Sequence, residues 1–250
     1  MYLRLHRSIT LSAALLTLCF AVKGAGQQAD EKPKNLQYFP KDTTRQELIQ
    51  TMRGFSFALG TRCEHCHVEK TPGSHDFDFA ADDKPEKKTA RAMLKMVDAI
   101  NQEYIAKMGR TAPIRVECVT CHRGLAIPKT MNMLLAETIE KKDVEAAVAL
   151  YRDLRKKALG NGQYDFGETS LNILTESLLH QGKGKEAAAI MELNVEVNTP
   201  SRWSYNLLAM SHVANKETEK AKVDYQKILE LNPQDAWARK QLEELNRSKQ

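Results

Sequence analysis

Outside two five-residue stretches the 250-residue chain has a single cysteine, Cys19, so nothing is left over for a disulfide framework. Aromatic residues are scarce at 6%, which leaves Leu, Ala and Met to fill helix contacts. No block of Lys or Arg is long enough to mark a nucleic-acid partner, and the net charge of +5 is dispersed. Beyond residue 22 no apolar run is long enough to span a bilayer. Strand-like alternation is also missing around the cysteine stretches. That argues against a thioredoxin-like CxxC, which belongs at a strand-to-helix turn.

The two stretches are CEHCH at Cys63–His67 and CVTCH at Cys118–His122. Each is Cys-x-x-Cys-His, the attachment pattern of a c-type haem. Two thiols three residues apart on a tight turn reach the same edge of a porphyrin. The His that follows is then held under the ring, where its imidazole reaches the iron. This reading gives Cys63, Cys66 and His67 to one haem and Cys118, Cys121 and His122 to a second. A ribbon-like zinc site fits poorly: such Cys pairs sit about 15–20 residues apart, whereas here they begin at 63 and 118. A haem enzyme such as a peroxidase, which needs an open iron position, and a thiol–disulfide oxidoreductase are the alternative readings.

Arg4, His6 and Arg7 precede an apolar run from Ile9 to Val22, and polar sequence follows. This is the pattern of a signal peptide over residues 1–26. It predicts export to the periplasm or the outer face of the cytoplasmic membrane, where CxxCH attachment takes place in bacteria. Leu18 stands where a lipidated Cys19 would need a small residue.

Each motif is preceded by a helix signal. Thr44 and Glu47 form a capping box, Leu48, Met52, Phe55 and Leu59 share one face, and Gly60 is the stop. Met52 on this stripe is either an iron ligand opposite His67 or a core filler. Residues 68–85 read as a loop in which Phe77 and Phe79 cover a haem face or plug a local core. Pro85 opens a second helix that runs to about Met108 and stops at Gly109, with Met93, Met96 and Tyr104 on one face. Helix, loop and CxxCH thus occur twice. Among the other histidines, only His75 in the loop rivals a methionine as sixth ligand.

DKPEKKTARAMLKMVDAIN followed by CVTCHRG, and FSFALGTRCEHCH before it, resemble the cytochrome c subunit of photosynthetic reaction centres. The resemblance covers about 100 residues and departs from that family in carrying two motifs where the family carries four haems. It implies a methionine sixth ligand from each preceding helix. Met52 then serves the first haem and Met96 the second, with Met93 and Met108 as rivals.

The last third has a different period. Gln181–Ala188 recurs at Asn215–Lys222, Ala187 matches Ala221, and Val197-Asn198-Thr199-Pro200 matches Leu231-Asn232-Pro233. The offset of 34 is that of tetratricopeptide repeats. An earlier unit is expected over Leu134–Lys141 and Val144–Lys157, an inserted loop over 158–167, and a capping helix over 236–247. Such arrays bind protein segments, pack on a neighbouring domain or self-associate.

The sequence therefore predicts a mainly α protein. A dihaem c-type cytochrome domain at 30–130 is followed by tetratricopeptide-like repeats at 131–250. It is expected to be an electron carrier and not an enzyme, with two covalently bound haems. Its partners are redox proteins, with membrane-complex association open, and a further protein partner on the repeat surface; no nucleic acid is expected.

Overall fold

The computed structural model describes residues 32–109 and 114–247. The apolar run Ile9–Val22 and the leader expected over 1–26 lie outside the described residues. Among those described, no helix is long and apolar enough to cross a membrane.

Helix α1 is Arg45–Leu59. Thr44 caps it as the sequence predicts: its hydroxyl accepts from the Glu47 amide, and the Glu47 carboxylate accepts from the Thr44 amide. Gly60 ends it in the left-handed conformation, φ +63°, which an L side chain adopts only at a cost. The first motif follows at once as a single turn, α2, Cys63–Cys66.

The stretch expected to be a loop contains a small antiparallel pair. Strands β1, Val68–Glu69, and β2, Phe77–Asp78, align Val68 with Asp78 and Glu69 with Phe77. Glu69 closes the turn between them by accepting from the amides of Gly73 and His75. Two residues per strand are too few for period-2 alternation to show in the sequence.

Pro85 stands at the first turn of α3, Pro85–Ala99. The expected continuation to Met108 is there but irregular: a π turn at Ile100–Tyr104, then a 3-10 turn at Ile105–Met108, ended by left-handed Gly109. Asn101 explains the wider turn. Its side-chain amide donates to the Val116 carbonyl and accepts from the Val116 amide, both at 2.8 Å. A side chain on the π turn thereby pins the segment that enters the second motif, α4, Cys118–His122.

From Met131 onward the chain pairs antiparallel helices: α5 Met131–Lys141, α6 Val144–Ala158, α7 Glu168–His180, α8 Gly184–Val197, α9 Arg202–Ala214, α10 Thr218–Leu231 and α11 Ala236–Arg247. Starts at Glu168, Arg202 and Ala236 are 34 residues apart, as are Gly184 and Thr218. The periodicity of the sequence is thus the periodicity of the backbone. Small residues sit where helices cross: Ala147, Ala187, Ala209, Ala221 and Ala238 are buried. A Cβ on Gly184 would stand 2.8 Å from the Ala214 carbonyl carbon. Polar stitches add register. Asn194 donates to the Asn172 side-chain oxygen at 2.8 Å and to the Glu168 carbonyl at 3.1 Å, and Ser204 donates to the Glu168 carboxylate at 2.6 Å.

Burial divides unevenly. The clustered apolar core runs from Met131 to Leu245, around Leu135, Tyr151, Leu171, Ile190, Leu207 and Ile228. Among the described residues before Met131, only Leu36 and Ala58 are buried apolar side chains. Yet that region keeps Phe55, Phe57, Leu59, Phe77, Phe79, Met93 and Leu94. About a hundred residues with helices, turns and apolar side chains thus bury few of those side chains against one another.

Candidate functional site

Several apolar side chains of the first region, Phe55, Leu59, Met93 and Leu94 among them, line one cavity of about 470 Å³. Its walls come from α1 (Met52, Phe55, Leu59), the first motif (Cys63, Cys66, His67), α3 (Thr89, Ala90, Met93, Leu94) and the second motif with its exit (Cys118, His122, Ala126, Ile127). Both motifs, far apart in sequence, therefore border the same space. They meet because α1 packs against α4: the Gly124 amide donates to the Ala58 carbonyl at 2.8 Å. The closeness demands glycine, since a Cβ on Gly60 would fall 2.1 Å from the Gly124 carbonyl oxygen.

The imidazoles differ. His122 Nδ1 lies 2.8 Å from the Leu125 carbonyl. With Nδ1 donating there, Nε2 keeps its lone pair for a metal, the arrangement that orients a ligating His. His67 Nδ1 is buried without a partner among the described residues. Burial first, and then the cations of Lys87, Lys84 and Arg91, push the His67 pKa down, with Asp78 opposing. His67 is therefore neutral near pH 7, the form that binds iron. The Phe79 ring stands edge-on to it at 5.1 Å, and Phe77 stands 5.9 Å from Phe79.

None of the four motif cysteines is tied in a disulfide. Burial raises the Cys66 pKa, with Glu86 adding to the rise, and burial raises that of Cys118. Among the described residues no group of three or more His, Cys, Asp or Glu is gathered as it would be around a chelated ion. The CxxC turns follow helix ends or an extended entry, not the strand of a βαβ unit. Apolar walls, cysteines at the rim, an orphaned buried imidazole nitrogen and the Met52 and Met93 thioethers across the space together fit a covalently held porphyrin.

The predicted methionines separate. Met52 lines the cavity, and so does Met93. Met96 does not; it lies one turn on from Met93 with 47% of its surface exposed. Met108 ends the 3-10 turn and is exposed. His75 is solvated, its backbone left-handed and its ring 3.6 Å from Glu69.

Sequence reasoning missed one hub. Asp82 accepts from Asn35 and Gln37 at 2.9 Å and from Arg91 at 2.7 Å, and pairs with Lys87 at 3.2 Å. Arg91, then Asn35 and Lys87, hold its carboxyl far below the usual carboxylate range. The hub ties the lead-in and the loop to α3. Only the charge alternation of DDKPEKKTAR hinted at it.

The family described as photosynthetic reaction centre cytochrome c subunit matches residues 7–181. A photosynthetic reaction center cytochrome c subunit of Thermochromatium tepidum is 33% identical over 111 residues, 44% of this chain and 25% of that protein. Cytochrome c-554 of Chloroflexus aurantiacus is 37% identical over 69 residues, 28% of this chain and 15% of that protein. The chain thus spans a quarter or less of the length of these relatives. Among solved structures, the first TPR domain of the human RPAP3 protein is similar at 17% identity and a TM-score of 0.33, over 47% of this chain and 87% of that one.

Proposed function

Because the chain belongs to the photosynthetic reaction centre cytochrome c subunit family, we propose that it is an exported electron carrier holding two covalent haems. The single observation that carries this is the cavity: both CxxCH turns and Met52 border one apolar space in a region with almost no core of its own. Bound there, haem iron supplies a reversible one-electron couple. The chain's residues do the rest. Cys63 and Cys66, and Cys118 and Cys121, each fix one edge of a porphyrin as thioethers. His67 and His122 are the proximal ligands, and His122 is oriented by Leu125. Met52 is the sixth ligand of the first site. For the second site the family resemblance points to a methionine of α3: Met96 is the choice, and Met93, which lines the cavity that both motifs border, is its rival. Apolar walls keep water from the iron, and a closed ligand set leaves no position for a substrate. Residues 30–130 form this module and 131–250 the repeat array. The array offers a protein partner a surface, while the module works between redox proteins at the outer face of a membrane.

Denaturing mass spectrometry of the exported protein tests the count: two haem additions are expected. A single addition removes the second site, and the apo mass removes the reading. In Met52→Ala the first haem should lose the Met/His signature in its visible spectrum. An unchanged spectrum would refute the ligand set.

A further inference from the structure

Lys87 is a largely buried cation beside the first motif, with 13% of its side chain exposed. Its ammonium donates to the carbonyls of Phe79 at 2.9 Å and Ala81 at 2.6 Å, and pairs with Asp82 at 3.2 Å. The Phe79 so held is the residue whose ring stands edge-on to His67. Other charges surround the same turn. Lys84 donates to the Glu64 carbonyl, and Arg91 shares Asp82 with Lys87 at 2.7 Å. Of the anions, Asp78 is committed to the amides of Ala80 and Ala81, and Glu86 lines the cavity wall. Asp82 is the more exposed member of its pair at 39%, so solvent screens it more than it screens Lys87.

We infer that Lys87 is a positioning residue for the first site, fixing the Phe79 segment against His67 and raising the reduction potential of the haem held by Cys63–His67. A fixed positive charge beside an iron favours the reduced form, which carries one positive charge fewer. The inference rests on the covalent haems proposed above.

The test is an optically monitored redox titration of the intact dihaem protein. In Lys87→Gln one of the two waves moves to lower potential. At the parent midpoint its reduced-to-oxidised ratio falls about tenfold, 59 mV for one electron, and the other wave stays put. Lys87→Arg restores the parent value. Asp82→Asn breaks the same hub but removes a negative charge, so it moves that wave upward. A merely structural role would send Lys87→Gln and Asp82→Asn in the same direction. That result, or two unmoved waves, overturns the role of Lys87 while leaving the haems in place. If Lys87→Gln fails to mature, the sign in Asp82→Asn decides. A chain without covalent haem in the parent mass overturns the reading beneath.

Discussion

Replacing Gly60 with Ala asks whether the two motifs are held together by backbone contact. The new Cβ would stand 2.1 Å from the Gly124 oxygen and 2.9 Å from its carbonyl carbon. Both are main-chain atoms, so no rotamer change relieves the clash. At φ +63° an alanine costs about 1–2 kcal/mol by conformation alone. Restoring an ordinary separation requires a shift of roughly an ångström, which takes the 2.8 Å Gly124–Ala58 bond out of range at about 1 kcal/mol. The sum is about 2–3 kcal/mol. For a chain of this size that lowers the melting temperature by roughly 4–12 °C. Gly54 supplies the control. It lies exposed within α1, and a Cβ there meets nothing within 4 Å. Gly54→Ala should therefore gain about 1 kcal/mol of helix propensity. Both variants are melted under far-ultraviolet circular dichroism. The reasoning fails if Gly60→Ala melts at or above the parent, or if the two variants lose stability equally.

Two further predictions concern the repeat array. Tyr151, fully buried, donates to the Phe166 carbonyl at 2.8 Å, with Arg155 reaching the same oxygen at 3.4 Å. Tyr151→Phe should cost about 1–2 kcal/mol in a urea melt; no loss would mean that Arg155 suffices. His212 is 4% exposed, with Nδ1 at 2.6 Å from Asp224 and Nε2 facing Glu192 at 3.5 Å and Glu217 at 3.9 Å. Burial alone would lower its pKa, but Asp224, then Glu192 and Glu217, outweigh burial and raise it. The folded value thus exceeds the unfolded one, so the stabilisation is complete below about pH 6.5 and is lost as pH rises through the folded value. Denaturation midpoints of the parent should fall across that window relative to His212→Gln. Parallel curves would refute the linkage.

What the sequence revealed was local or periodic. The Thr44 capping box, the Gly60 stop, Pro85 at a helix start and the 34-residue offset each depend on residues a few positions apart or on a repeated pattern. What it hid joins distant positions. Nothing in CVTCHRG says that Gly124 will bond Ala58, nor in INQEY that Asn101 will grip Val116 and widen a helix turn. The β1–β2 pair is shorter than the period that would announce it. Asp82 looks like one acid among several until Asn35, Gln37, Lys87 and Arg91 converge on it. The two motifs were plain from five letters each, but that they share one cavity was not.

The uneven interior bears on how the protein comes to exist. The array after Met131 carries its own packing in its side chains. Among the described residues, the region before it has two buried apolar side chains and borders the apolar cavity. With the covalent haems proposed above, the gene encodes only the shell of that half, and its filling is delivered and bonded after translation. On that proposal, supply of the prosthetic group acts as a quality checkpoint. A copy made without it would pair a finished tail with an open head, and the open head is what a protease would meet first.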